Sequence, residues 1–311
     1  MDTAAVVLEA PGQLALRRLA LRPVDASDVV VQIDYSGIST GTERLLYNGR
    51  MPSFPGMGYP LVPGYESVGH VIDAGAEAQA SIGTRVFVPG ANCYVDARGL
   101  FGGAARTVIL PAARTVPVAA SLGEEAVLIA LAATAYHALI AGPLPDLIVG
   151  HGVLGRLLAR ITLALGGAAP TVWETNAVRS DGGAGYAVVH PDADERRDYR
   201  VICDVSGDAA LLDTLIGRLA FGGEIVLAGF YESALSFTFP PAFMREAKFR
   251  IAAQWQPADL AATTALIESG ALSLGGLITH RARAETAADA YPTAFGDAAC
   301  LKMILDWSGC A

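Results

Sequence analysis

The sequence predicts an α/β protein with two domains, a β-barrel-like domain followed by a doubly wound parallel sheet. Three observations predict it. From Ala4 to about Val118, short β-rich runs at 29–33 (VVVQI), 67–72 (SVGHVI) and 85–88 (RVFV) are broken repeatedly by Gly and Pro, as in a compact antiparallel domain. After Gly123 the texture changes to short, nearly continuous apolar runs separated by helical segments, the pattern of parallel strands covered on both faces. Finally, 311 residues, 52% hydrophobic and 17% charged, fit two ordinary domains and exclude a disordered chain.

Taken in order, the first domain spans 1–122 and holds one unusual loop, 51–60 (MPSFPGMGYP), too broken for regular structure yet apolar. Such a loop either contacts a greasy ligand or folds back on its own core. A long apolar helix at about 124–141 opens the second domain, 123–279. Apolar strands follow at 147–149, 171–173, 201–205 and 225–228, with helices at 153–165 and 209–220 between them. The Gly- and Asp-rich segment 179–197 reads as a surface excursion. One more helix and a strand at 302–305 return the chain to the first domain, which 280–311 completes.

The net charge of −9 and pI near 5.0 argue against nucleic acid as a partner, since phosphate contacts need a basic face. Mean hydropathy is high, +0.40. The longest uncharged stretch, 126–145, is interrupted by Thr134, His137 and a Gly-Pro end, so no transmembrane segment is expected. The start, MDTAA, has no secretory pattern. Cys93, Cys203, Cys300 and Cys310 form no metal or redox motif. A cytoplasmic protein, peripheral at most to the inner membrane, is the expectation.

Gly150, Gly152 and Gly155 form a G-x-G-x-x-G run after an apolar strand and at the start of a helix. Glycines in that context allow a tight turn, close approach to a pyrophosphate and close helix packing, while the helix start at Val153 and Leu154 favours negative charge. Glu174, at the end of the next strand, is placed to accept from ribose hydroxyls and would repel a 2′-phosphate. NAD is therefore expected over NADP, a preference that Arg179 softens. Ser206 and Gly229 follow later strands, at the edge where open parallel sheets bind ligands.

With these pieces placed, the chain resembles the medium-chain dehydrogenase/reductase superfamily. The order of parts agrees: a β-rich domain, a bridging helix with TAYH at 134–137, the Gly150 fingerprint, then GGEIV at 222–226 and ITHR at 278–281. The resemblance implies a GroES-like catalytic domain and a Rossmann domain, with Thr134 on the nicotinamide side. It also exposes departures. Zinc-dependent members carry a Cys where this chain has Ser39 or Thr40, a His where it has Tyr65, and a third ligand where it has Ala130. Hydroxyls and a methyl do not replace thiolate and imidazole, so the expected metal is none.

Two segments, 35–43 (YSGISTGTE) and 55–66 (PGMGYPLVPGYE), look like superfamily members that act on chlorin or bacteriochlorin tetrapyrroles. That likeness implies oxidation of a 1-hydroxyethyl group to acetyl, with hydride passing to NAD. Thr42 matches the hydroxyl relay position, Tyr65 holds the lost ligand position, and Glu43 and Glu66 are either proton-handling groups or supports. His137, on the face of Thr134, is either a general base or a hydrogen-bonded core residue. Tyr47, Phe54, Met57 and Tyr59 would cover the macrocycle if the 51–60 loop acts as a lid. The superfamily implies a homodimer through the edge of the parallel sheet, expected near 227–239. Two competing readings are a zinc-free quinone or enoyl reductase and a non-catalytic NAD-bound sensor or pigment carrier.

Overall fold

Strand Asp28–Ile38 organises one of the two units into which the chain divides in the computed structural model, which describes residues 1–310. This unit comprises 1–130 and 275–310; residues 131–274 form the other. Val29, Val30, Val31 and Ile33 are all fully buried, with no polar alternation at 29–31. The pairing explains this. The strand is flanked on both edges, antiparallel, by Ser67–Ala74 and Thr107–Pro111, and its last residues pair with Lys302–Asp306. Its edges are hydrogen-bonded, and 29–31 join one apolar cluster with Val6, Val7, Val108 and Leu305, so neither face meets water.

The hairpin Asp2–Ala10/Gln13–Ala20 forms a smaller sheet with the two-residue strands Leu61–Val62 and Arg98–Gly99. The C-terminal segment supplies two parallel strands, Ile278–Arg283 and Lys302–Asp306, joined through helix Ala287–Gly296. Trp307 locks it in: the ring is fully buried and its Nε1 donates to Ser36 Oγ at 2.8 Å.

The second unit holds a six-stranded, wholly parallel sheet in the order Ala187–Val189, Thr171–Trp173, Leu147–Val149, Tyr199–Asp204, Leu219–Leu227, Lys248–Ile251. The chain builds outward from Leu147–Val149 in one direction, then returns to build from its other side. That reversal opens a crevice at the carboxyl ends of Leu147–Val149 and Tyr199–Asp204, where doubly wound sheets bind nucleotides.

Two expectations need correction. Segment 179–197 is more than a surface excursion, because Ala187–Val189 forms an edge strand; half-exposed and set among Gly and Asp, it reads as a loop. The opposite edge is Lys248–Ile251 and not the region 227–239, since Leu219–Leu227 is covered by that further strand.

The long helix is also divided. A 3₁₀ segment, Ala120–Leu128, carries a non-helical Gly123 and leads into helix Ile129–Ile140. By length and composition this stretch, Ala120–Ile140, could cross a membrane, but more than half of its apolar window is buried within the protein. A core helix passes the same test.

Candidate active site

The glycine turn is built as its spacing predicts. Gly150 has φ +105, a conformation that side chains rarely adopt. A Cβ on Gly155 would lie 1.8 Å from the Gly150 carbonyl oxygen, so this helix packs on the turn only with glycine there. Gly152 has open space where its Cβ would be, and leaves backbone accessible. Helix Val153–Ala164 starts at Gly152 with no side-chain cap. Its first N–H groups therefore have no capping side chain, as an anion site at a helix N-terminus requires.

Glu174 follows strand Thr171–Trp173 and organises the turn. One carboxylate oxygen accepts from His151 N at 3.1 Å, the other from Asn176 N at 2.7 Å. The carboxylate is thus fixed beside the glycine loop, half-buried, with lone pairs to spare for hydroxyl donors. His151 is fully buried: its ring bonds the Arg179 carbonyl at 2.7 Å and the Tyr186 hydroxyl at 3.0 Å, and burial holds its pKa below the ordinary value. Arg156 ties down the same segment, donating to the carbonyls of His151, Arg179, Asp181 and Gly182.

Across the crevice, buried Asp204 accepts from Ser206 N at 2.9 Å and the Tyr231 hydroxyl at 2.8 Å, with its pKa raised by burial. Ser206 Oγ in turn accepts from Asp208 N, and Gly229 N donates to the Asp204 carbonyl. These donors and glycines fit a dinucleotide. Gly150, Gly152, Gly155 and the N–H groups of Val153 and Leu154 suit its pyrophosphate, and Glu174 suits a ribose.

In the same unit, His137 Nδ1 lies 2.8 Å from Asp259 Oδ2. Asp259 is buried and also accepts from Gln256 N in the capping box of helix Pro257–Glu268. His137 is therefore a hydrogen-bonded residue with one ring nitrogen engaged. Thr134 sits one turn earlier on helix Ile129–Ile140.

The first unit gathers the remaining candidates. Tyr65 OH lies 2.7 Å from Ser39 Oγ, and the nearby Thr42 hydroxyl acts to lower the pKa of the same phenol. Burial, reinforced by the charge of Glu66, pushes the phenol well above its ordinary pKa, so it stays protonated at neutral pH. The Phe101 ring packs edge-on against Tyr65, centroids 5.2 Å apart.

Under these hydroxyls lies a buried charged layer. Glu66 Oε2 pairs with Lys302 Nζ at 2.7 Å, and that ammonium also donates to the Ile38 carbonyl at 3.1 Å. Glu43 is fully buried. Its oxygens accept from Ser39 N at 3.2 Å and the Tyr291 hydroxyl at 2.7 Å. Burial, with a contribution from the Glu66 charge, pushes Glu43 up to about 8. Glu43 has no surface to offer a substrate and acts by holding the Ser39 turn.

The donor set does not fit zinc. Ser39 and Tyr65 offer neutral hydroxyls in place of thiolate and imidazole, Ala130 offers a methyl, and no group of three or more His, Cys, Asp or Glu occurs among the described residues.

The two ends of the apolar loop fold back, while 52–56 is exposed. Tyr47, Met51, Met57 and Tyr59 pack against buried Leu8, Leu46 and Leu61, and the Tyr59 hydroxyl bonds the Leu46 carbonyl. Phe54 alone of the four expected lid residues is exposed.

Residues 25–120 match the alcohol dehydrogenase GroES-like domain. A protein of Cereibacter sphaeroides, 2-desacetyl-2-hydroxyethyl bacteriochlorophyllide A dehydrogenase, is 58% identical to this chain, with all of both chains covered. Its namesake in Rhodobacter capsulatus is 57% identical over 99% of each. The chain belongs to the medium-chain dehydrogenase/reductase superfamily.

Solved structures agree on the fold of this superfamily. A short chain alcohol dehydrogenase from Escherichia coli CFT073 complexed with NADH superposes at TM-score 0.85, 18% identical, covering 98% of this chain and 99% of its own. A proposed zinc-binding dehydrogenase from Sinorhizobium meliloti 1021 bound to NADP gives 0.83, 19% identical, covering 99% and 100%. The chain shares this two-part fold.

Sequence reasoning missed Lys302, Tyr291, Asp259 and Phe101. Lys302 left a signal: it is one of two lysines in the chain and interrupts the apolar run LKMIL. The other three lie far in sequence from their partners and left none.

Proposed function

We propose that this protein oxidises the 3-(1-hydroxyethyl) group of a bacteriochlorophyllide to a 3-acetyl group, with NAD as hydride acceptor. The observation that carries the reading is the 58% identity, over the full length of both chains, to a relative named for that dehydrogenation. The reaction converts the carbinol and NAD⁺ into ketone, NADH and one proton. Bound nicotinamide supplies the hydride acceptor, and the protein must orient the carbinol and move the hydroxyl proton.

Residues 123–279 hold the cofactor in this reading, through Thr134, the Gly150 turn, Glu174, Ser206 and Gly229. Residues 1–122 and 280–311 hold the pigment. Thr42 and Tyr65, with Ser39, are the hydroxyls that contact the substrate oxygen and relay its proton, with no metal. A phenol kept protonated by burial suits a relay, because it donates and accepts in one step without holding charge. His137, half-buried and bonded to Asp259, has the character of a support.

Fixed Glu174 favours NAD. Glu174→Ala should reduce discrimination against NADP about tenfold, the scale of one charge contact; unchanged discrimination in paired kcat/KM values would refute the ribose assignment.

The edge strand Lys248–Ile251 supports a homodimer. Ile251 is 79% exposed and Phe243 65%, and a 510 Å³ groove there is lined by Phe221, Phe237, Phe239, Phe243, Met244 and Phe249. Unpaired strand edges beside apolar surface are covered in stable proteins. We place the enzyme in the cytoplasm, peripheral to the inner membrane where a chlorin partitions.

Incubation with 3-(1-hydroxyethyl) bacteriochlorophyllide a and NAD tests the function. The reading expects one acetyl pigment per NADH formed. Turnover of quinones or enones with no action on the pigment would favour the reductase alternative.

A further inference from the structure

We infer that Phe101 is the aromatic platform that selects a flat macrocycle over a small alcohol, and that it also positions the Tyr65 phenol. The inference rests on the proposed pigment oxidation and goes beyond it by naming the residue against which the ring face packs.

The 51–60 loop carries two aromatic rings, Tyr59 and the exposed Phe54, and the structure places neither against the hydroxyl cluster. Tyr47, Met57 and Tyr59 are spent on the cluster around Leu8, Leu46 and Leu61, and the Tyr59 hydroxyl is engaged within the same cluster. The aromatic ring in contact with the hydroxyl cluster is instead Phe101. Leu100 joins the buried loop cluster, whereas the next side chain, Phe101, lies edge-on to Tyr65 and keeps part of its surface open.

The backbone holding Phe101 is tightly set. Leu100 N and Gly102 N both donate to the Val62 carbonyl at 3.0 Å, and Ala91 N donates to the Phe101 carbonyl at 2.7 Å. A Cβ on Gly90 would lie 2.2 Å from that same Phe101 oxygen, and one on Gly102 would lie 1.7 Å from the Ala91 oxygen. Both glycines have positive φ. The segment is thus fixed on two sides, and a fixed ring loses little freedom when a ligand stacks on it.

A chlorin presents a broad apolar face, and an aromatic ring at the site edge gives it area and ring-to-ring attraction that a two- or three-carbon alcohol does not need. The 72° edge contact also limits rotation of the Tyr65 ring, whose hydroxyl is bonded to Ser39. Phe101 therefore acts on pigment binding directly and on proton transfer through Tyr65.

The test uses the full-length enzyme with NAD and two variants, Phe101→Ala and Phe101→Trp. Pigment binding is followed by fluorescence quenching, turnover by NADH formation, cofactor binding by NADH fluorescence, and folding by Tm. We expect Phe101→Ala to raise both Kd and KM for the hydroxyethyl pigment about tenfold or more, to lower kcat, and to leave NADH affinity unchanged; Phe101→Trp should restore pigment affinity. If wild type binds and oxidises the pigment and Phe101→Ala does so with the same Kd and KM, the platform is refuted while the function stands. If wild type binds pigment without oxidising it, the function falls and the Kd comparison still decides the platform. Failure of wild type to bind pigment at all would overturn both.

Discussion

The glycine turn at Gly150 and the hydroxyl cluster at Tyr65 are two ways of building a site. The turn is made of backbone: one positive φ, one helix start and one impossible Cβ, all within six consecutive residues. The cluster is made of side chains from Ser39, Thr42, Tyr65, Phe101, Tyr291 and Lys302, brought together only by folding. A backbone site constrains spacing, whereas a side-chain site constrains chemistry at scattered positions. The second kind can therefore exchange metal ligands for hydroxyls without disturbing the sheet around it.

Breaking the buried layer should give the largest effect. Lys302→Ala leaves Glu66 charged and buried without its partner and should cost about 3–5 kcal/mol of stability. Chemical denaturation checks it, and a loss below 1 kcal/mol would mean that Glu66 finds another donor. Gly155→Ala probes the backbone site. The added methyl meets the Gly150 carbonyl, so the helix must shift, at about 1–3 kcal/mol and with loss of NADH binding. Gly152→Ala meets no protein atom and should weaken NADH binding with little change in Tm, so equal Tm losses in the two variants would contradict the assigned roles.

The most gradual effect is a pH slope, spread over several pH units. The folded protein holds a proton on Glu43 up to about 8, whereas an exposed carboxyl loses it near 4.5. The folded state binds more protons in that window, so this group's contribution is full below about 4.5 and falls as pH rises towards 8. Glu43→Gln should remove that decline, and its Tm relative to wild type should rise between pH 5 and pH 8. A parallel pair of Tm profiles would show that Glu43 ionises as freely folded as unfolded.

The same contrast governs what was legible in the sequence. The turn, Glu174 and most parallel strands could be read because each is local: a spacing, a strand end, an apolar run. Ala187–Val189 could not, since it is a half-exposed edge strand set among Gly and Asp residues that read as a loop, and the sheet edge was misplaced because Lys248–Ile251 is a short strand with alternating charge. In the first unit, Thr42 and Tyr65 were identified by resemblance, but their partners were not. Ser39 appeared only as a lost metal position, and nothing local marks Tyr291 as the donor to Glu43 or Phe101 as the neighbour of Tyr65. The apolar loop left two readings open for a related reason: whether its Met and Tyr side chains pack depends on a small cluster of leucines from three separate segments.

The central claim is that hydroxyls, not a metal, handle the proton in oxidation of the pigment alcohol. Tyr65→Phe, assayed for NADH formation on 3-(1-hydroxyethyl) bacteriochlorophyllide a with saturating NAD, tests it most directly. The account predicts a fall in kcat of about 100-fold, the usual contribution of a positioned proton-transfer group, with pigment Kd and Tm close to wild type. A kcat within about twofold of wild type would contradict it.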